Sequence, residues 1–163
     1  MRLNILVDTR EQVPFSFGGY DVAVEPAALP VGDYSLPGFV DRVAIERKEL
    51  NDLIACLMDK NRDRFERELA KGKSYELFAV VVEAALEDVR RGDYRSAMKP
   101  HAALQSLCAF QVRYRVPFVW AGDRQGAEYM TFSLLAKYLR EIEERYKQAV
   151  KGGNYGKTLG NSE

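Results

Sequence analysis

Four ionisable residues in the first third of the chain have the types and spacing of a metal-dependent hydrolytic centre. They are Asp33, Glu46, Lys48 and Asp52. Glu46 and Lys48 are two residues apart behind an apolar run, and alternate side chains of a β-strand share a face. Two carboxylates from adjacent strands suit a hard divalent cation, and a nearby ammonium can hold a water or stabilise charge on a phosphate oxygen. This set therefore indicates hydrolysis of phosphodiesters.

The segment around these residues has the pattern of a β-hairpin. Gly38 separates an apolar run that contains Asp33 from a second run that ends at Glu46, and a strand, a turn and an antiparallel strand explain this order. The hairpin would bring Asp33 beside Glu46, with Arg47 on the opposite face. The alternative is that Glu46, Arg47 and Lys48 are an ordinary charged strand end that water solvates, because this tripeptide is common.

The composition is that of one globular domain. The chain has 163 residues, of which 47% are hydrophobic and 29% charged, and no window has the apolar length of a membrane span. The N-terminus has no pattern of a signal peptide, so a cytoplasmic protein, in a prokaryotic or phage-infected cell, is expected. The formal net charge is zero, so any binding to nucleic acid requires a local basic patch.

The hydrophobic periodicity predicts an α/β domain over residues 1–148 and a flexible tail over 149–163. The predicted strands cover residues 3–7, 20–24, 31–36, 39–46, 75–82 and 117–120. The predicted helices begin near residue 50 and cover 62–72, a short stretch within 87–94, a stretch from residue 100, and 125–148. The run 75–82 is apolar on both faces and is expected in the centre of the sheet. Glu83 follows it and is expected to face solvent.

Charged residues also follow the first strand and begin the second predicted helix. Asp8 is a candidate ligand of the metal or a residue that orients a ligand, Arg10 is a candidate phosphate contact, and Glu11 is a supporting residue. Arg62 and Arg64 are candidate phosphate contacts beside the proposed centre. The alternatives are a polar turn after the first strand and, for the two arginines, a solvated helix face.

Together these residues resemble the nuclease domain of the XPF/Hef family of structure-specific DNA endonucleases. Val7-Asp8-Thr9-Arg10-Glu11 is similar to the first motif of that family, Val31-Gly32-Asp33-Tyr34 and Ile45-Glu46-Arg47-Lys48 with Asp52 are similar to its G-D…E-R-K-x-x-x-D signature, and Arg64-Phe65 is similar to its Arg-Phe pair. The resemblance is strongest over residues 5–70.

The resemblance implies a restriction-endonuclease-like α/β/α sandwich, with a mixed central β-sheet flanked by helices, that cleaves DNA with Mg²⁺ or Mn²⁺. The catalytic residues implied are Asp8, Asp33, Glu46, Lys48 and Asp52. The metal ligands implied are Asp8, Asp33 and Glu46, and the backbone carbonyl of Arg47 is a further ligand in our hypothesis. The DNA contacts implied are Arg10, Arg47, Arg62 and Arg64, with Glu11 in support, although the strand periodicity favours a supporting role for the Arg47 side chain.

The resemblance also implies a function in DNA repair, recombination or replication, with branched, flapped or single-strand-containing DNA as the substrate. Family members usually carry a tandem helix-hairpin-helix region, and the residues after Val150 are too few to encode one, so a free-standing nuclease is expected. Family nuclease domains pair with one another, so a homodimer or a complex with an unidentified protein is a further expectation. Two alternatives are open: an inactive DNA-binding or scaffold module of the same fold, and a phage or defence nuclease that acts on ordinary duplex.

Overall fold

A six-stranded mixed β-sheet forms the centre of the structure, a computed structural model that describes residues 2–152. The strands are β1 (Leu3–Asp8), β2 (Val22–Ala27), β3 (Tyr34–Ser35), β4 (Val43–Lys48), β5 (Leu77–Val82) and β6 (Phe118–Trp120). Their order across the sheet is β2, β1, β3, β4, β5, β6. β3 is antiparallel to β1 and β4, and the other neighbouring pairs are parallel. The predicted mixed sheet is confirmed.

Five helices flank the sheet within the described residues. They are α1 (Leu50–Ala55), α2 (Asp59–Gly72), α3 (Leu86–Arg91), α4 (Pro100–Tyr114) and α5 (Arg124–Gly152). One hydrophobic core joins one face of β4 and β5 to α1, α2 and α4, and a second core joins the other face to α5 and to the loop after β1. None of these helices is long and apolar enough to cross a membrane.

The central strands bring charge to one edge of the sheet. β5 is buried along most of its length between the parallel strands β4 and β6, as its apolar sequence LFAVVV predicts. β4 begins with the buried residues Val43, Ala44 and Ile45 and ends with three charged residues. Because β1, β4, β5 and β6 run parallel to one another, their carboxyl ends meet at the same edge, where sites of α/β domains are built.

The observed strands are shorter or shifted relative to the predicted ranges. β3 has only two residues because the chain bends at Gly32, which has a φ of +76°. β2 begins at Val22 because a turn occupies the preceding residues, with the Tyr20 N–H donating to the Phe17 carbonyl at 3.0 Å. At the other end of the chain, α5 continues to Gly152, so residues 149–152 of the predicted tail are helical. Residues 153–163 of that tail lie outside the described residues.

Gly32 generates a stability prediction because it lies immediately before Asp33 on the hairpin. A Cβ atom there would lie 3.0 Å from the Ala44 Cβ and 3.1 Å from the Ile45 carbonyl oxygen, whereas a Cβ at Gly38, where φ is +80°, would meet nothing within 4 Å. Gly38→Ala adds only the strain of a left-handed backbone, about 1 kcal/mol. Gly32→Ala adds steric overlap, so we expect it to lower the unfolding free energy by roughly 2 kcal/mol or more in urea titrations. Equal losses in the two variants would contradict this account.

Candidate active site

Asp33 and Glu46 lie side by side at the carboxyl edge of the sheet because β3 and β4 pair as a hairpin. Tyr34 is opposite Ile45 in this pairing. The Asp33 N–H donates to the Ile45 carbonyl at 2.8 Å, and the Arg47 N–H donates to the Asp33 Oδ2 at 2.7 Å. The second bond fixes the Asp33 carboxylate beside the next residue of β4. The predicted approach of the two carboxylates is therefore present.

Glu46 and Lys48 share a face of β4, as their spacing predicts. The Lys48 Nζ lies 3.1 Å from the Glu46 Oε1, in an ion pair of two largely buried side chains. The same Nζ lies 5.3 Å from the centre of the Phe65 ring of α2. Helix α2 therefore covers this face of β4 and holds the ammonium close to the carboxylate, so Glu46 and Lys48 are not a solvated strand end.

The pKa values of the three ionisable groups of the centre are all shifted, and burial is the largest influence on each. Burial raises the pKa of Asp33, and repulsion by Glu11 adds to this effect. Burial also raises the pKa of Glu46, and the charges of Asp33 and of Glu68 raise it further. Burial opposes the charged form of Lys48, but attraction by Glu46 outweighs it, so the pKa of Lys48 is raised. Two adjacent carboxylates with raised pKa values favour the binding of a cation, which would stabilise their ionised forms.

Arg47 faces the opposite side of β4 and forms the centre of a buried ionic network. Its guanidinium donates to both carboxylate oxygens of Glu11, at 2.8 and 3.1 Å, and to the Glu83 Oε1 at 3.0 Å. The same oxygen of Glu83 accepts from the Arg124 Nη1 at 2.9 Å. The network joins the end of β1, the end of β4, the end of β5 and the start of α5. The supporting role predicted for Glu11 has a physical basis here, because Glu11 neutralises Arg47.

Two sequence predictions about this network are wrong. Glu83 was expected to face solvent, but its side chain is only 9% exposed and bridges two arginines. Arg47 was included among the DNA contacts, but its side chain is 13% exposed and is paired with two carboxylates. The periodicity of β4 correctly indicates that Arg47 points away from Glu46 and Lys48. The partners on that side come from distant parts of the chain.

Arg124 is a residue of the site region that the sequence did not reveal. Its Nη2 donates to the carbonyls of Val13 and Pro14, at 2.8 and 3.1 Å, and its guanidinium lies 4.8 Å from the centre of the Phe15 ring. Phe15 in turn stacks on Tyr34 at 5.2 Å. These contacts hold the loop after β1 against the hairpin that carries the two carboxylates. No local pattern marks Arg124, because its partners are distant in the chain: Glu83 is 41 residues away, and Val13 and Pro14 are 111 and 110 residues away.

Asp8 has a structural role that differs from the predicted one. Its Oδ1 accepts from the Leu29 N–H at 2.9 Å, and its Oδ2 accepts from the Arg10 Nε at 2.7 Å. Burial tends to raise the pKa of Asp8, but the hydrogen bonds from Arg10 and Leu29 outweigh burial and lower it. Within residues 2–152, no group of three or more His, Cys, Asp or Glu side chains is placed to hold a metal ion. Asp8 is therefore not brought together with Asp33 and Glu46 as a third ligand.

Arg62 is partly buried between α2 and α4, where it makes contacts within the protein that the sequence did not predict. Its Nη1 donates to the Leu57 carbonyl at 3.1 Å and to the Ser106 Oγ at 2.9 Å. Its guanidinium also lies 4.8 Å from the centre of the Phe110 ring. These contacts join the start of α2 to α4, and they engage the Nη1 of the guanidinium.

The remaining predicted residues are at the surface beside the centre. The Arg10 side chain is 71% exposed, although its Nε pairs with Asp8 and its Nη2 donates to the Leu29 carbonyl at 3.0 Å. Arg64 is exposed on α2, next to the Phe65 that contacts Lys48. Asp52 is exposed in the first turn of α1, and its side chain forms no hydrogen bond or ion pair with the described part of the chain. The structure thus leaves Asp52 outside the buried cluster.

The centre fits a divalent cation held by two carboxylates. The Asp33 Oδ2 and the Glu46 Oε1 are engaged by Arg47 and Lys48, and each carboxylate retains a second oxygen that accepts no hydrogen bond from residues 2–152. Carboxylate oxygens are the preferred ligands of Mg²⁺, which usually keeps several waters and is bound through one or two carboxylates. Asp33 and Glu46 would hold the cation. The Arg47 carbonyl and water molecules from the solvent would complete its coordination.

A mixed sheet with flanking helices, and with paired carboxylates and a lysine at its edge, defines a domain of the restriction-endonuclease-like class. The family profile of the ERCC4 domain matches residues 7–134. The chain therefore belongs to the ERCC4 domain family. The resemblance inferred from the hairpin and its flanking motifs is confirmed by this match.

Solved structures support the fold independently. XPF from Aeropyrum pernix superposes with a TM-score of 0.65 and 23% sequence identity, over 83% of this chain and 61% of that one. XPF from Aeropyrum pernix in complex with DNA gives a TM-score of 0.65 and 24% identity, over 86% of this chain and 66% of that one. This chain thus spans less than two-thirds of each of these structures. No significant match was found among curated protein sequences.

The raised pKa of Asp33 generates a prediction about stability and pH. Burial raises this pKa to about 6, whereas the unfolded value is about 4. The stability contribution of Asp33 is therefore fully present below about pH 4 and is lost as the pH rises through 6. Asp33→Asn does not ionise and still offers an oxygen to the Arg47 N–H. We measure the unfolding free energy of this variant and of the wild type by urea titration without metal. The difference, variant minus wild type, should increase by roughly 1 to 3 kcal/mol between about pH 4.5 and 8.

Asp63→Asn is the matched control, because Asp63 is an exposed aspartate on α2. Its stability should follow that of the wild type at every pH. A difference between Asp33→Asn and the wild type that does not grow with pH would contradict the account.

Proposed function

We propose that this chain is a Mg²⁺- or Mn²⁺-dependent DNA endonuclease that cleaves branched, flapped or single-strand-containing DNA during repair, recombination or replication. The observation that carries the proposal is the pairing of the Asp33 and Glu46 carboxylates in a largely buried position, with the Lys48 ammonium on the same strand face. Membership of the ERCC4 domain family and the resemblance to XPF/Hef nucleases support the same chemistry.

The residues of the hairpin have separate tasks in this proposal. A bound Mg²⁺ or Mn²⁺ would supply Lewis-acid polarisation of the phosphate and a bound water of lowered pKa. Asp33 and Glu46 would hold the ion. The Lys48 Nζ, 3.1 Å from the Glu46 Oε1, carries further N–H groups that can orient the attacking water or neutralise charge on a phosphate oxygen. The ionic network of Arg47 would keep both carboxylates in place by fixing the end of β4.

DNA is the proposed substrate because exposed arginines lie at the end of β1 and on α2, the helix that covers Glu46 and Lys48. Arg10 retains an exposed guanidinium at the end of β1, and Arg64 is exposed beside Phe65 on α2. Arginines bind phosphate through several N–H donors at once. One of the similar solved structures is an XPF complex with DNA, which supports DNA as the partner of this chain. The preference for branched DNA rests on the family resemblance.

The alternative of an inactive binding module of the same fold receives less support. A binding module has no need of two buried carboxylates beside a lysine, and such a cluster lowers stability unless a ligand compensates for the burial of charge. The three residues of the centre are present and grouped. The remaining alternative, a nuclease that acts on ordinary duplex, differs only in substrate.

Cleavage of a panel of labelled oligonucleotides tests the proposal. The panel contains a duplex, a flap, a fork and a single strand, each with Mg²⁺ or Mn²⁺. We expect the wild type to cut the flap and the fork, and Asp33→Ala and Lys48→Ala to reduce the rate by roughly 100-fold or more. DNA binding should remain close to that of the wild type, and far-UV circular dichroism should show that both variants are folded at the assay temperature.

Arg145→Ala provides the control, since Arg145 pairs with Glu76 at the start of β5, at the opposite edge of the sheet. Its cleavage rate should equal that of the wild type. Undiminished cutting by both site variants would refute the assignment of the centre. Equal cutting of duplex and branched DNA by the wild type would favour the duplex-specific alternative.

A further inference from the structure

The loop between α3 and α4, residues 92–99, is attached to the helix that follows the catalytic strand. The Arg95 N–H donates to the Asn51 Oδ1 at 2.9 Å. Asn51 lies in the first turn of α1, three residues after Lys48, and its Nδ2 donates to the Glu49 Oε1 at 3.1 Å. The loop therefore takes its position from the chain segment that directly continues the active-site strand.

Contacts within the loop order it before any ligand binds. The Tyr94 hydroxyl donates to the Met98 carbonyl at 2.7 Å, and the Met98 N–H donates to the Ser96 Oγ at 3.1 Å. The Tyr94 and Met98 side chains pack on the core that contains α1, α2 and α4. A ligand that binds this loop would lose little free energy in ordering it, because its conformation is already defined.

Two cations of the loop are held at the surface without an acidic partner. Arg95 and Lys99 are exposed, and neither forms an ion pair within residues 2–152. By contrast, both arginines of the preceding helix pair with Glu87, at 2.6 and 3.4 Å. The side chains of Arg95 and Lys99 therefore remain available, while the backbone of Arg95 anchors the loop.

The attachment of this loop puts the loop and Arg10 at the ends of different strands, on either side of Asp33. Arg10 follows β1, the loop is anchored through Asn51 just beyond the end of β4, and β3, which follows Asp33 directly, lies between these two strands. A DNA backbone that runs along this edge of the sheet from the end of β1 to the end of β4 passes over the carboxylate centre. Cations on both sides of the scissile phosphate would position it over Asp33 and Glu46.

We propose that residues 92–99 form a preordered phosphate-binding segment, in which Arg95 and Lys99 contact the DNA backbone beyond the end of β4, on the side of Asp33 away from Arg10. This inference rests on the proposed nuclease function and extends it to a part of the chain outside the hairpin and its flanking motifs. The contacts are electrostatic and independent of base sequence, so they contribute affinity and register.

The salt dependence of DNA binding tests the inference. Binding of a fluorescently labelled forked DNA is followed by anisotropy at several salt concentrations, in EDTA so that no cleavage occurs. Removal of two phosphate contacts in the double variant Arg95→Ala, Lys99→Ala should reduce the slope of log affinity against log salt by about 2. Affinity at low salt should fall by roughly 10-fold or more. The double variant should keep its melting temperature, because the anchoring group of Arg95 is the backbone N–H.

Arg145→Ala is the matched control, since it removes one exposed cation at the other edge of the sheet. Its slope and affinity should equal those of the wild type. A slope for the double variant equal to that of the wild type would overturn the inference. A third outcome separates the two proposals: the wild type binds the fork and the double variant shows the predicted loss of affinity, but the wild type does not cut DNA with Mg²⁺ or Mn²⁺. This outcome would overturn the nuclease function alone. A wild type that does not bind DNA would overturn both.

Discussion

The position of Arg47 at the end of β4 is the constraint on which the site depends. Its backbone N–H holds the Asp33 carboxylate at 2.7 Å, and its guanidinium joins Glu11 and Glu83 on the opposite face of the sheet. One residue thus connects the Asp33 carboxylate of the candidate metal site with the ionic network that fixes the strand ends. Loss of one partner of a buried ion pair typically costs 3 to 5 kcal/mol, because the remaining charge is left without compensation. The network therefore keeps the end of β4, and with it the candidate active site, in one conformation.

The two faces of β4 meet different electrostatic requirements. On one face, Arg47 is neutralised by carboxylates of the protein itself, and Arg124 shares one of them. On the other face, Lys48 compensates only part of the charge of Asp33 and Glu46, whose pKa values are raised. The charges of the first face are balanced within the protein, whereas the second face would gain stability from an added cation. This asymmetry agrees with a structural face and a catalytic face on one strand.

The sequence predicts the parts of the site that depend on local geometry. A period of two residues places Glu46 and Lys48 on one face, and the apolar runs around Gly38 predict the hairpin. The continuous apolar run before Glu83 predicts the central strand β5. Each of these inferences uses residues that are close in the chain, and each agrees with the structure.

The sequence does not predict partners that only tertiary folding brings together. Glu83 and Arg124 are 41 residues apart, and the role of Arg62 depends on Ser106, which is 44 residues away. Asp8 is assigned by its motif as a ligand, but Leu29 and Arg10 occupy its oxygens. A charged residue after a strand has the same local pattern whether it binds a metal, pairs with another side chain or faces solvent. Only the folded chain distinguishes these outcomes.

Calorimetric titration with Mn²⁺ at about pH 8 tests the central claim most directly, namely that Asp33 and Glu46 form one cation site. The wild type should bind a single ion and release protons, because the raised pKa values leave part of the carboxylate population protonated before binding. Asp33→Asn and Glu46→Gln should each weaken this binding by 10-fold or more, whereas Asp63→Asn should leave it unchanged. Equal Mn²⁺ affinity in the wild type and both site variants would contradict the account.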